Sequence, residues 1–121
     1  MFKIDFDSYV VTGESIVCDV DGFRCVATAH YDADTHCPAD YPEPARTAWE
    51  RDEWHYFGIA VTVWRAGIQL TGDYDHALWG IEGNCKTGDD SNVNAYFRAV
   101  ANDQLPEAIA AAKEKIQELC K

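Results

Sequence analysis

Apolar and polar side chains alternate on both sides of a single Asp-Gly pair between Ser15 and Thr28. Asp-Gly between two alternating runs is the strongest short-range signal for a hairpin with a two-residue type I′ loop. With Asp21 and Gly22 as the loop, Val20 opposes Phe23, Asp19 opposes Arg24 and Cys18 opposes Cys25. Further out, Val17 meets Val26, Ile16 meets Ala27 and Ser15 meets Thr28. Successive strand side chains point to opposite faces. One face therefore collects Ile16, Cys18, Val20, Phe23, Cys25 and Ala27, and this apolar face is expected to point into a core. The other carries Asp19 with Arg24 and Val17 with Val26. A second alternation sets Phe57, Ile59, Val61 and Val63 against Gly58, Ala60, Thr62 and Trp64, which predicts another strand. Ala66-Gly67 is a turn signal, and Ile68–Thr71 should return antiparallel, with Ile68 facing Arg65 and Leu70 facing Val63.

Between the two pairs the pattern breaks down. Three of the four prolines, Pro38, Pro42 and Pro44, fall here. Proline fixes φ and removes a donor, so a loop of about 15 residues is expected, ending in a short helical turn over Thr47–Arg51. Beyond Gly72 the chain is irregular, with a short strand or turn expected around Leu78–Glu82. The period then changes. Val93, Tyr96, Phe97, Val100 and Ala101 recur at helical spacing behind Asp90 or Ser91 as N-cap, and Leu105, Ile109, Ala112, Ile116 and Leu119 continue it. Pro106 predicts either two helices or one broken near Asp103–Leu105. Strands first and helices last give an α+β domain over residues 1–121. Its antiparallel sheet has about four strands in two hairpins, with one or two C-terminal helices packed on one face.

Charge narrows the functional classes. The chain carries 21 acidic and 10 basic side chains, a net charge of −11. That opposes direct binding to nucleic acid and to anionic membranes and suits a basic protein partner. No apolar run reaches the roughly 18 residues of a membrane span. "MFKIDFDSYVV" lacks the pattern of a secretory signal, so a cytoplasmic location is expected. The five cysteines are an odd number without a CxxC spacing. Cys18 and Cys25 face each other at a hydrogen-bonded position, where Cα atoms lie about 5.5 Å apart. That distance allows a disulfide, but a reducing compartment and an apolar face favour two buried thiols.

Catalytic spacings are missing. No GxSxG, Walker A, GxGxxG or HExxH occurs. His36 and Cys37 adjoin Asp32 and Asp34, and His76 adjoins Asp73 and Asp75, but "DADTH" lacks the glycine and distant glutamate of a calcium loop. The chain is expected to be non-enzymatic and to use no metal or cofactor. The expected partner-binding residues are the carboxylates of the proline-rich loop: Asp32, Asp34, Asp40, Glu43, Glu50, Asp52 and Glu53. Trp49 and Trp54 of "WERDEW" would serve as aromatic anchors, and Asp73 and Asp75 would join the surface. Of the four tryptophans, Trp49, Trp54, Trp64 and Trp79, two or three are expected at the core or its edge.

The stretches "VDGFRCVATAHYDADTH", "DEWHYFGIAVTVWRAGIQL", "LWGIEGN" and "NAYFRAVANDQLPEAIAAAKE" together resemble a family of small acidic proteins encoded by phages, prophages and plasmids. The family's motifs are structural, so the resemblance carries over no catalytic residue. What it implies is a mobile-element protein of anti-defence type. Such a protein would inhibit a basic, nucleic-acid-handling host protein, a CRISPR or restriction component, by imitating phosphates with carboxylates. The alternative is an assembly accessory that pairs with itself as a homodimer through a strand edge or a helix face.

Overall fold

The computed structural model describes all residues except 8, 85–93, 95 and 121. Strands β1 (Ser15–Val20) and β2 (Phe23–Tyr31) form the first hairpin, and all six expected cross-strand pairs are present. Asp21 and Gly22 have φ of 53° and 82°, the doubly positive backbone of a type I′ turn. The long strand β3 (His55–Arg65) lies antiparallel to β2, with Cys25 against Val63, Ala27 against Val61 and Ala29 against Ile59.

The other edge of β3 is shared by two strands. At its C-terminal end the Ala66-Gly67 turn leads into β4 (Ile68–Gln69), where Ile68 pairs with Arg65. Leu70 N–H donates to the Val63 carbonyl at 2.8 Å, as the alternation predicts. The Thr71 hydroxyl then accepts from Val63 N–H at 3.0 Å, so a side chain closes the ladder one step beyond the strand. At the N-terminal end of β3 lies β5 (Ala77–Gly83), a full strand where the sequence predicted a shorter one. The sheet thus has five strands rather than about four.

One face of this sheet is the core. Phe57, Ile59, Val61 and Val63 of β3 and Cys25, Ala27 and Ala29 of β2 are fully buried there, under helix α2 (Tyr96–Leu119). The helix presents Phe97, Val100, Ala101, Leu105, Ala108 and Ala112 to the sheet. It runs unbroken through Pro106, where the sequence favoured a break. An interior proline costs about 3 kcal/mol. The apolar stripe continues on the same side at Ala108 and Ala112, and its burial offsets that cost. Tyr96 and Leu119, read from periodicity as core positions, are exposed. The expected N-cap at Asp90 or Ser91, Val93 and Cys85 lie outside the described residues.

The N-terminal segment, to which the sequence reading assigned no element, packs into the core. Phe2, Phe6 and Val10 are buried in the core although their backbone is irregular. Three asparagine side chains pin it. Asn102 Oδ1 accepts from Phe2 N–H at 2.7 Å, and Asn102 Nδ2 donates to the Phe2 carbonyl at 3.2 Å. Asn84 makes the same two bonds to Val10, at 2.8 and 2.9 Å. Asn94 Nδ2 donates to the Asp7 carbonyl at 3.3 Å.

Helix α1 (Glu43–Glu50) begins four residues before the expected Thr47. Pro42 and Pro44 explain the difference, because proline is tolerated in a first turn whose N–H groups have no helical partner. The helix ends with Glu53 N–H donating to the Ala48 carbonyl at 2.9 Å across Asp52, at φ 60°, a left-handed stop.

Candidate protein-binding surface

The expected site residues fall into three structural groups. Asp34, Asp40, Glu43, Glu50, Asp52 and Glu53 are exposed. Asp32 is half-buried and holds the loop in shape: it accepts from Asp34 N–H at 3.1 Å, the Thr35 hydroxyl at 2.7 Å and Gly80 N–H at 2.9 Å. Trp54 was expected as an anchor, but it is 1% exposed. Its Nε1 donates to the Ala45 carbonyl at 2.8 Å, and its ring packs on Trp49 and Tyr56 at 5.0 and 5.3 Å. Trp54 fastens α1 to the sheet and offers no surface to a partner. Trp49 stays half-exposed against Trp54, His55 and Tyr56.

Charges from three elements act on the Cys37 thiol. Burial pushes the Cys37 thiol above its ordinary value; Arg46 pulls it down, while Glu82, Glu50 and Asp40 push it further up. Glu82 is held in place because the Tyr41 hydroxyl donates to its Oε1 at 2.7 Å, while Tyr56 donates to Tyr41 at 3.2 Å. These two contacts keep the Tyr41 phenol protonated well above its usual range, the Tyr56 bond being the larger cause.

Asp73 and Asp75 are both exposed. Tyr74, between them, packs its ring 5.3 Å from His30 and 5.9 Å from Trp79. The residue after Trp79 is Gly80, whose N–H is bound by Asp32. Asp73 accepts from Gln69 Nε2 at 2.7 Å, and Asp75 accepts from Gly72 N–H at 3.1 Å.

Four ion pairs are present among the described residues: Arg24 with Asp19, Arg98 with Asp5, Lys113 with Asp21 and Lys115 with Glu118. None involves Asp32, Asp34, Asp40, Glu43, Glu50, Asp52, Glu53, Asp73 or Asp75. Arg46 donates its Nε to the Tyr41 carbonyl at 2.9 Å, and Arg51 stands beside Glu43 and Glu53.

The sequence reading missed the aromatic side chains of the outer sheet face. Trp64 and Trp79 lie on the face opposite α2. Trp64 Nε1 donates to the Thr62 hydroxyl at 3.0 Å, which folds the indole back along β3. For Trp64 the parity of β3 was a usable signal, since Gly58, Ala60, Thr62 and Trp64 share one side. Trp79 gave none, because its direction depends on a bulge. Phe57 pairs with Ile81 but Ile59 pairs with Leu78, so Trp79 and Gly80 together oppose Gly58. The extra residue turns Trp79 outward, and its ring occupies the space that a Cβ on Gly58 would fill.

Cys18, Cys25 and Cys37 are free thiols. Burial pushes Cys25 from 9.0 up to about 12, with Cys18 adding to the rise. Above pH 9 the unfolded chain releases this proton while the folded chain keeps it. Cys25 therefore contributes its full stability below pH 9 and loses it as the pH rises towards about 12. We expect the urea midpoint to fall between pH 9 and about pH 11, and Cys25→Ala to fall less steeply over that range. Equal slopes for the two proteins would count against this assignment. Among the described residues, no three His, Cys, Asp or Glu side chains are grouped to hold a metal ion. No described helix is long and apolar enough to cross a membrane.

Compared with protein-family models, curated proteins and solved structures, the chain matches none.

Proposed function

We propose that this chain is a non-enzymatic acidic binding protein of a phage or related mobile element. It would occupy the nucleic-acid groove of a basic host defence protein, of CRISPR or restriction type. The observation that carries this reading is the set of carboxylates at Asp32–Glu53, Asp73 and Asp75, none of them in an ion pair among the described residues. Carboxylates already bound to lysine or arginine would have little charge left for a partner. Apart from the half-buried tether Asp32, these carboxylates are exposed, on a chain whose net charge is −11. Charge of one sign on one side speeds encounter with the opposite sign and selects against acidic surfaces. Trp49, half-exposed beside Glu50, supplies apolar contact area within the same surface.

The test is capture of host proteins on the immobilised chain at about 0.05 M and about 0.5 M salt, a range over which exposed charges become screened. We expect basic nucleic-acid-binding proteins to be retained at the lower salt and released by added DNA or RNA. The triple variant Asp40→Asn, Glu43→Gln, Glu50→Gln should bind on the order of tenfold more weakly, at roughly half a kcal/mol per exposed charge. Absent capture, or capture indifferent to both salt and nucleic acid, would remove the proposal.

A further inference from the structure

The outer face of the sheet carries one indole near each end of β3. Trp64 is held over Thr62 by its Nε1 bond, and Trp79 lies on Gly58. Residues 58 and 64 are six positions apart on one strand, which is about 20 Å. A groove of about 320 Å³ opens beside Trp64, with Val26, Ala60 and Thr62 in its floor, Trp64 and Tyr74 in its walls and Asp73 at its edge. No lysine or arginine lines it. His30 stands beside Tyr74, with ring centroids 5.3 Å apart, and Tyr74 and Trp79 keep 59% and 42% of their surface in solvent.

We propose that this groove takes arginine side chains from an extended basic segment of the partner. The proposal rests on the acidic-binder reading and extends it to a second, aromatic contact zone. A guanidinium is planar, weakly hydrated and always charged; it stacks on aromatic faces and pairs with carboxylates. The groove offers a fixed indole, an apolar floor and the Asp73 carboxylate; Arg24, cross-strand from Trp64, is paired with Asp19 at 3.4 Å. An ammonium carries the same charge but has no flat face, and arginine is therefore preferred over lysine. A sugar ring could also stack on the indoles, but it would gain nothing from a net charge of −11.

The probes are nona-arginine, nona-lysine and cellohexaose, added to the full chain and followed by its tryptophan indole ¹H–¹⁵N signals. We expect nona-arginine to shift the Trp64 and Trp79 signals, leave the buried Trp54 unmoved, and bind about five- to tenfold more tightly than nona-lysine. Trp64→Leu and Trp79→Leu should each remove most of that preference while keeping the far-ultraviolet spectrum of the parent. Equal binding of the two peptides with both indole signals still would overturn the arginine groove and leave the acidic reading standing. Shifts produced by cellohexaose but by neither peptide would overturn both, as would no binding by any probe.

Discussion

Replacing Asn84 by alanine should lower the folding stability by about 3–5 kcal/mol. Asn84 is 5% exposed, and Val10 and Asn94 beside it are 0% and 1% exposed. Its Oδ1 accepts from Val10 N–H at 2.8 Å and from Asn94 Nδ2 at 2.9 Å, and its Nδ2 donates to the Val10 carbonyl at 2.9 Å. Alanine leaves the backbone N–H and carbonyl of Val10 buried without these partners, at about 1–3 kcal/mol each. It must also adopt the φ of 63° that Asn84 occupies, which costs alanine about 1 kcal/mol more than asparagine. Domains of this size hold about 5–15 kcal/mol in total, so the variant should be marginal at room temperature. Asn84→Asp preserves the shape and the acceptor but loses the donor, and should fall between the two. Urea unfolding measures all three proteins. A loss below about 1 kcal/mol for Asn84→Ala would show that solvent or a rearranged N-terminus satisfies Val10.

The second large effect is expected at Gly83. A Cβ there would stand 2.7 Å from the Phe97 ring and closer still to that of Phe57. Both rings are 0% exposed, and their centroids lie 5.5 Å apart. Overfilling a closed core costs about 1–3 kcal/mol, and more when two rigid rings must move together. Gly83→Ala should therefore melt roughly 10 °C below the parent. The diagnostic variant is Gly83→Ala with Phe97→Leu. Leucine vacates part of the contested volume, so the double variant should be more stable than the sum of the single losses predicts. Simple additivity would place the cost of Gly83→Ala in the strand backbone instead.

The fold was legible wherever the decisive interactions were local. Asp21-Gly22 sets the first hairpin and with it all six pairs, because a two-residue loop leaves no freedom in register. The return after Ala66-Gly67 follows from the same constraint. The failures share a physical cause, which is that the deciding partner is far away in the chain. Phe2, Phe6 and Val10 are spaced like one face of a helix, yet asparagines 74 and 100 residues away hold them in an irregular path. Trp54 looked like a free anchor in an acidic stretch, and only the arrival of α1 buries it. At the candidate surface the sequence identified the carboxylates but could not show which were paired. Asp32 proved to be a structural tether, and Glu82 a carboxylate that the sequence reading had not assigned to the surface.

The asparagine clasps also bear on how the chain matures on the ribosome. Residues 2–10 are made early, but the amide that receives Phe2 lies 100 residues later. At a translation rate of about 5–20 residues per second, that interval is about 5–20 s. Throughout it Phe2, Phe6 and Val10 lack the helix that later covers them, and they stay available to other apolar surfaces. Holding chaperones have that long to act, and a slowed ribosome would lengthen the exposure without altering the finished molecule.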